Sequence, residues 1–115
     1  MERIFILDEI VVKPGQAAAY REAYRTGYVP GAERRGMRLE GAWRSPPGLD
    51  YDELPQTLYY LWSIEGVDGW WKMRMSRKAD GSEERFEKLA WWRRSDRMTL
   101  SRKRSLLTAL PGEAA

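Results

Sequence analysis

The sequence predicts an α+β domain of order β-α-β-β-α-β built around one four-stranded antiparallel sheet. Three observations carry that prediction. Ile4–Lys13 and Gln56–Glu65 are extended runs with apolar residues on both alternating faces, the pattern of strands covered on two sides. Pro14-Gly15 turns the first of these directly into the helix-forming Gln16-Ala17-Ala18-Ala19-Tyr20-Arg21-Glu22, so a helix folds back over the strand that precedes it. The design then repeats once, and no internal repeat, low-complexity segment or interdomain linker interrupts it.

In the first strand, Ile4, Ile6, Ile10 and Val12 share one face with Asp8, while Phe5, Leu7 and Val11 share the other with Glu9. The first helix spans about 16–28, where Tyr20, Tyr24 and Tyr28 recur every four residues beside Ala17 and Ala23 as one amphipathic stripe. A further turn runs through Ala32–Arg35 before Gly36 ends it. Met37–Arg44 alternates cleanly, with Met37, Leu39, Gly41 and Trp43 on one face, and reads as an edge strand. Ser45-Pro46-Pro47-Gly48 stops it, and an acidic loop with Asp50, Asp52 and Glu53 follows.

The third strand, Gln56–Glu65, points Leu58, Tyr60, Trp62 and Ile64 one way and Thr57, Tyr59, Leu61 and Ser63 the other. A short helix over about 67–77 carries Trp70, Trp71, Met73 and Met75. Asp80-Gly81-Ser82-Glu83 has the look of a capping box and starts a helix reaching about Ser95, with Phe86, Leu89 and Trp92 inward. Met98–Leu110 is the final, irregular strand, giving one domain over 1–111 and a tail over 112–115. This order is the ferredoxin-like arrangement. The handedness of its crossovers places strands one and three side by side in the centre with the helices on one face. A second copy of the same sheet is the simplest cover for the other face.

Composition removes several chemistries. The 115 residues contain no cysteine, hence no disulfide, thiolate nucleophile or Cys-type zinc site, and this points to the cytoplasm. They contain no histidine, which removes the commonest general base and imidazole metal ligands. Acid–base work falls to Asp, Glu, Tyr, Lys or Arg. No apolar run approaches the length of about 20 residues that crosses a bilayer, and 4–12 lacks the flanks of a signal peptide. Residues 1–71 hold 8 basic and 11 acidic groups, whereas 72–104 hold 12 basic and 5 acidic ones. That basic half reads first as a solvated face and second as a surface for an anion. The sheet aromatics lack the RNP1 pattern of RNA-recognition sheets, so nucleic acid is not the predicted partner. The acidic loop lacks the EF-hand spacing, and no Gly-rich phosphate loop is present.

The sequence resembles the NIPSNAP-like branch of the dimeric α/β-barrel superfamily. The likeness lies in Ile10-Val11-Val12-Lys13-Pro14-Gly15, in Gly36-Met37-Arg38-Leu39-Glu40-Gly41-Ala42-Trp43, in Leu58-Tyr59-Tyr60-Leu61-Trp62-Ser63-Ile64-Glu65 and in Leu106-Leu107-Thr108-Ala109-Leu110-Pro111. It implies a homodimer with facing sheets and a pocket in each subunit between sheet and helices. It implies no single activity, since such proteins include cofactor-free monooxygenases, cyclases, lyases, isomerases and haem-dependent enzymes.

Candidate site residues follow from placement. Asp8 lies on an apolar strand face, where burial disfavours its charged form, and it is the candidate general acid or base. An ion pair with Arg102 or Arg104 on the last strand is its competing structural role. Tyr24 or Tyr60 is the candidate hydrogen-bonding partner. Tyr20, Trp43, Trp62, Trp70, Met73 and Trp92 are the candidate walls of a pocket for a small hydrophobic or aromatic metabolite. Six tryptophans also supply core mass to a small domain, and an aromatic stripe at helical spacing is more often plain core. Neither a metal nor an organic cofactor is expected. Two readings stand: a cofactor-independent lyase, isomerase, cyclase or monooxygenase, and a non-catalytic ligand-binding or accessory homodimer.

Overall fold

The computed structural model of the chain describes residues 3–74 and 83–112, without the side chains of 67, 72–74 and 83–89. Its elements run β1 (Arg3–Val12), α1 (Ala17–Gly27), α2 (Val29–Arg34), β2 (Arg38–Ser45), β3 (Gln56–Glu65), α3 (Gly66–Arg74), α4 (Glu83–Met98) and β4 (Thr99–Thr108). The four strands form one antiparallel sheet in the order β2-β3-β1-β4. The two strands apolar on both faces are therefore the two in the centre, as their composition predicts.

Burial separates the two faces of the sheet. Ile6, Asp8, Ile10 and Val12 of β1 and Gln56, Leu58, Tyr60, Trp62 and Ile64 of β3 are buried against the helices. On the opposite face Phe5, Leu7, Glu9 and Val11, with Thr57, Tyr59 and Leu61, are only half-buried. The core is aromatic: Tyr20, Tyr24 and Tyr28 of the first helical segment meet Tyr60, Trp62 and Trp91 in a run of tilted, edge-on and stacked rings. Tyr24 stacks on Tyr60 with centroids 3.8 Å apart. Filling the interior with rings replaces the branched aliphatics that a domain of this size more often uses, and each ring pair adds about 0.5–1.5 kcal/mol beyond area burial.

Local chemistry sets the turns. Gly15 has a positive φ of 77° just after Pro14, which lets Gln16 N–H bond back to the Lys13 carbonyl and start α1. Gly36, at φ 90°, ends α2, and the Gly36 and Met37 N–H groups bond to the Glu33 and Ala32 carbonyls. The acidic loop packs against the first half of α1 and the turn before it. The buried Gln56 amide accepts from Tyr51 N–H and donates to the Leu49 carbonyl, and Asp50 pairs with both Arg21 and Arg44.

Two expectations need correction. A bulge at Glu40 shifts the register of β2, so Leu39 pairs with Trp62 but Gly41 and Trp43 pair with Leu61 and Tyr59. One extra residue moves the rest of a strand to the other face, so Trp43 leaves the face of Leu39. On α4 the fully buried tryptophan is Trp91, while Trp92 is partly buried and belongs to a cleft wall. The final strand owes its irregular pattern to a second bulge, where Val11 and Val12 pair with Ser101 and Thr99 and leave Leu100 exposed. The capping-box turn at 80–82 and the side chains of Phe86 and Leu89 lie outside the described residues.

Candidate functional site

Asp8 enters the core from the middle of β1, opposite Tyr60 on one side and Arg104 on the other. Its side chain is 3% exposed, and both of its oxygens are engaged. Arg104 donates Nε to Oδ1 at 2.7 Å and Nη2 to Oδ2 at 2.9 Å. Tyr24 donates its hydroxyl to Oδ2 at 3.2 Å, and Trp62 Nε1 donates to the Tyr24 hydroxyl at 2.7 Å. Arg104 Nη2 also donates to the Tyr28 hydroxyl at 2.7 Å. The result is one line of donors and acceptors running from Trp62 through Tyr24, Asp8 and Arg104 to Tyr28.

The energetics of this line are set by its surroundings. Burial opposes the charge on Arg104, but the hydrogen bond to Asp8 and the fields of Tyr28 and Asp8 outweigh it and raise the guanidinium pKa. Burial raises the phenol of Tyr24 well above its ordinary value, and the Asp8 charge adds to that rise. Burial also raises the phenols of Tyr20 and Tyr60. All three therefore stay protonated at neutral pH and are not tyrosinate bases, and Tyr24 serves the network as a donor.

The structure brings together some of the residues singled out in the sequence and separates others. Asp8, Tyr24 and Trp62 share the network just described. Tyr60 contacts it through its ring, stacked on Tyr24, and lines a separate cleft of about 170 Å³ with Arg21, Ala42, Trp43, Arg44 and Leu58. Tyr20 bonds its hydroxyl to the buried Ser95 Oγ at 2.9 Å and is core. Trp43 is 56% exposed, with its ring folded over Gly41, away from Asp8. Trp70 is partly buried and packs on the core. The Met73 side chain lies outside the described residues. Trp92 does approach Asp8. With Asp8, Ile10, Arg102, Lys103 and Arg104 it lines a cleft of about 130 Å³ on the helix side of β1 and β4. Its ring lies 4.2 Å from the Arg102 guanidinium carbon and 5.6 Å from that of Arg104.

Tyr28 is the network member that the sequence showed only as part of a stripe. Its place four residues after Tyr24, at the end of the helix beside the edge strand, was the available signal. Among the described residues no group of acidic side chains is arranged to hold a metal ion. Among them, too, no helix is long and apolar enough to cross a membrane.

No protein-family model matches the sequence, and no curated protein matches it. Solved structures do. An uncharacterized NIPSNAP domain protein from Burkholderia xenovorans superposes with a TM-score of 0.66 at 12% identity, over 97% of this chain and 99% of that one. A NIPSNAP family protein of unknown function from Agrobacterium tumefaciens does so with a TM-score of 0.66 at 11% identity, over 96% of this chain and 91% of that one. A candidate antibiotic biosynthesis monooxygenase from Bacillus cereus matches over the whole of both chains, with a TM-score of 0.60 and 11% identity. The strand order, the double-faced central strands and these superpositions agree: the chain has the ferredoxin-like α+β fold of the NIPSNAP proteins.

Proposed function

We propose that this chain is a NIPSNAP-like homodimer, paired through the open face of its sheet, that binds a small hydrophobic or aromatic molecule on the helix side. The seat is the cleft between Trp92 and the Arg102–Arg104 segment. Its volume of about 130 Å³ compares with the cavity of about 150 Å³ known to hold a benzene ring. The ring of Trp92 supplies an aromatic wall, and Arg104 supplies a fixed donor at its edge. A cytoplasmic location belongs to the same reading.

The observation that carries the choice between binding and catalysis is the two-pronged Asp8–Arg104 pair. A carboxylate held at both oxygens by a guanidinium, and at one of them also by Tyr24, is committed to partners within the fold, which supports a binding role over proton abstraction. Asp8 in this arrangement positions Arg104, which supports the non-catalytic role. The second reading is a cofactor-independent lyase, isomerase, cyclase or monooxygenase using Asp8, Tyr24 or Tyr60. It is favoured by the likeness in fold to candidate antibiotic biosynthesis monooxygenases from Bacillus cereus and Bordetella bronchiseptica.

Benzyl alcohol and phenol are suitable ring-sized probes, titrated against the wild-type protein and the Trp92→Ala and Arg104→Gln variants with tryptophan fluorescence as the readout. Saturable binding that weakens roughly tenfold in either variant is expected. Equal affinity in all three proteins removes the seat. Oxygen uptake with hydroquinone, abolished in Asp8→Asn or Tyr24→Phe proteins that still melt cooperatively, would move the assignment to catalysis.

A further inference from the structure

A second cleft stands apart from the one at Asp8. It has a volume of about 360 Å³, lies where the end of α1 and the start of α2 meet α4, and shares no lining residue with the cleft at Asp8. Arg34, Arg35 and Arg94 line it, with Tyr28, Pro30 and Trp91 as apolar walls, and no carboxylate is present among its described lining residues.

Its floor is made of two glycines. A Cβ at Gly31 would come within 3.2 Å of Arg35 Nη1 and 3.6 Å of Arg34 Nη2. A Cβ at Gly27 would meet the Trp91 ring at 3.1 Å and approach Arg94 Nη1 at 3.7 Å. Both glycines lie in helices, where each lowers stability relative to alanine. Their absent side chains let three guanidinium groups and an indole close on one space.

Two buried polar atoms of its lining residues have no partner among the described residues. Arg35 is 8% exposed, and its Nε makes no hydrogen bond among them. Its guanidinium lies 5.6 Å from the Tyr28 ring, which is its only cation–π contact among the described residues. Trp91 is 4% exposed, and its Nε1 likewise makes no hydrogen bond among the described residues. Neither Arg35 nor Arg94 forms an ion pair among the described residues. A buried cation without a counter-charge is strongly disfavoured unless an anion meets it. Arg104, which also lies beside aromatic rings but is more exposed, has such a counter-charge in Asp8.

We infer that this cleft is an anion site for a small molecule carrying a carboxylate or phosphate on a flat apolar body. The oxyanion takes the donors of Arg35 and Arg94, and the apolar body lies against Trp91, Tyr28 and Pro30. The volume falls within the roughly 300–1,000 Å³ of small-molecule pockets. The inference goes beyond the proposed seat at Trp92 and Arg104 and does not depend on it.

The test titrates the full chain with 1-naphthoate, 1-naphthyl phosphate and the uncharged 1-naphthalenemethanol. Binding is followed by the indole N–H resonance of Trp91, assigned with a Trp91→Phe variant. One or both anions should bind roughly tenfold or more tightly than the alcohol, and should weaken with added salt. The tighter anion tells carboxylate from phosphate. Arg35→Gln and the more exposed Arg94→Gln should each lose about tenfold in that affinity, while Arg104→Gln keeps it. Arg94→Gln serves if Arg35→Gln fails to fold. Equal binding of alcohol and anions overturns the site, as does unchanged affinity in Arg94→Gln or the absence of any binding. Loss in Arg104→Gln alone would place the anion at the Asp8 cleft instead.

Discussion

Asp8 and the tyrosines around it show how single residues set the character of this interior. A lone carboxylate on an apolar strand face is costly to keep charged, and the fold answers with Arg104 from the neighbouring strand. Removing one partner of such a pair leaves the other uncompensated. Asp8→Asn should therefore cost about 3 kcal/mol in chemical denaturation, the low end for buried pairs because Arg104 keeps a third of its side chain in water. Joint replacement by Asp8→Leu and Arg104→Met should recover most of that loss, and a double variant no more stable than Asp8→Asn would contradict this account. The phenols add a dependence on alkali. Burial raises Tyr20, Tyr24 and Tyr60 above the ordinary value of 10.0, so the folded chain retains protons that the unfolded chain releases. Their contribution is complete below pH 10 and falls as the pH climbs from there toward the folded values. The melting temperature should drop more steeply above that point in wild type than in Tyr60→Phe, whose missing hydroxyl has no hydrogen-bond partner among the described residues.

At the scale of elements, the boundaries depend on a few backbone positions. Gly36 is one, since its φ of 90° turns the chain from α2 into β2 and sets Met37 into the core. A Cβ there would meet nothing within 4 Å, so substitution strains the backbone without any clash. Gly36→Ala should lower stability by about 1–2 kcal/mol in urea unfolding, with the slope of the transition unchanged. A neutral result would mean that the junction relaxes to a negative φ. The bulge at Glu40 is a second such position. It divides β2, so that Leu39 shares the register of Trp62 while Trp43 joins Tyr59 on the other face.

For the molecule as a whole, shape is the argument for pairing. The fold is a slab with principal extents of 43 × 42 × 18 Å and a radius of gyration of 15.2 Å. A compact chain near this length has about 13 Å. One helical layer covers one side of the sheet, and Phe5, Leu7, Val11, Tyr59 and Leu61 remain half-exposed on the other. A twin sheet would bury both copies at once, which is the pairing proposed above. Leu7 and Leu61 face each other across the two central strands, so Leu7→Glu places a charge in the middle of that surface. Sedimentation velocity should show wild type as a dimer and Leu7→Glu as a folded monomer, and a monomeric wild type would sink the proposed pairing.

The order of elements, the central pair of strands and the buried face of each were legible in the sequence, because alternation and helical spacing are local and Ile4–Lys13 and Gln56–Glu65 display them without interruption. Asp8 could be recognised as buried, and Arg104 as one of two candidate partners, from the same alternation. Register was not legible, because one inserted residue at Glu40 or Leu100 leaves composition unchanged yet turns a strand over. Nor was the arginine cleft. Arg35 follows a short helix and reads as surface, yet it is buried beside Gly31 and the Tyr28 ring, in a cleft that Trp91 and Arg94 of α4 help to line. Periodicity thus decided which residues go inside, whereas packing between elements distant in sequence decided which charges meet a partner there, because that depends on distances no local pattern encodes.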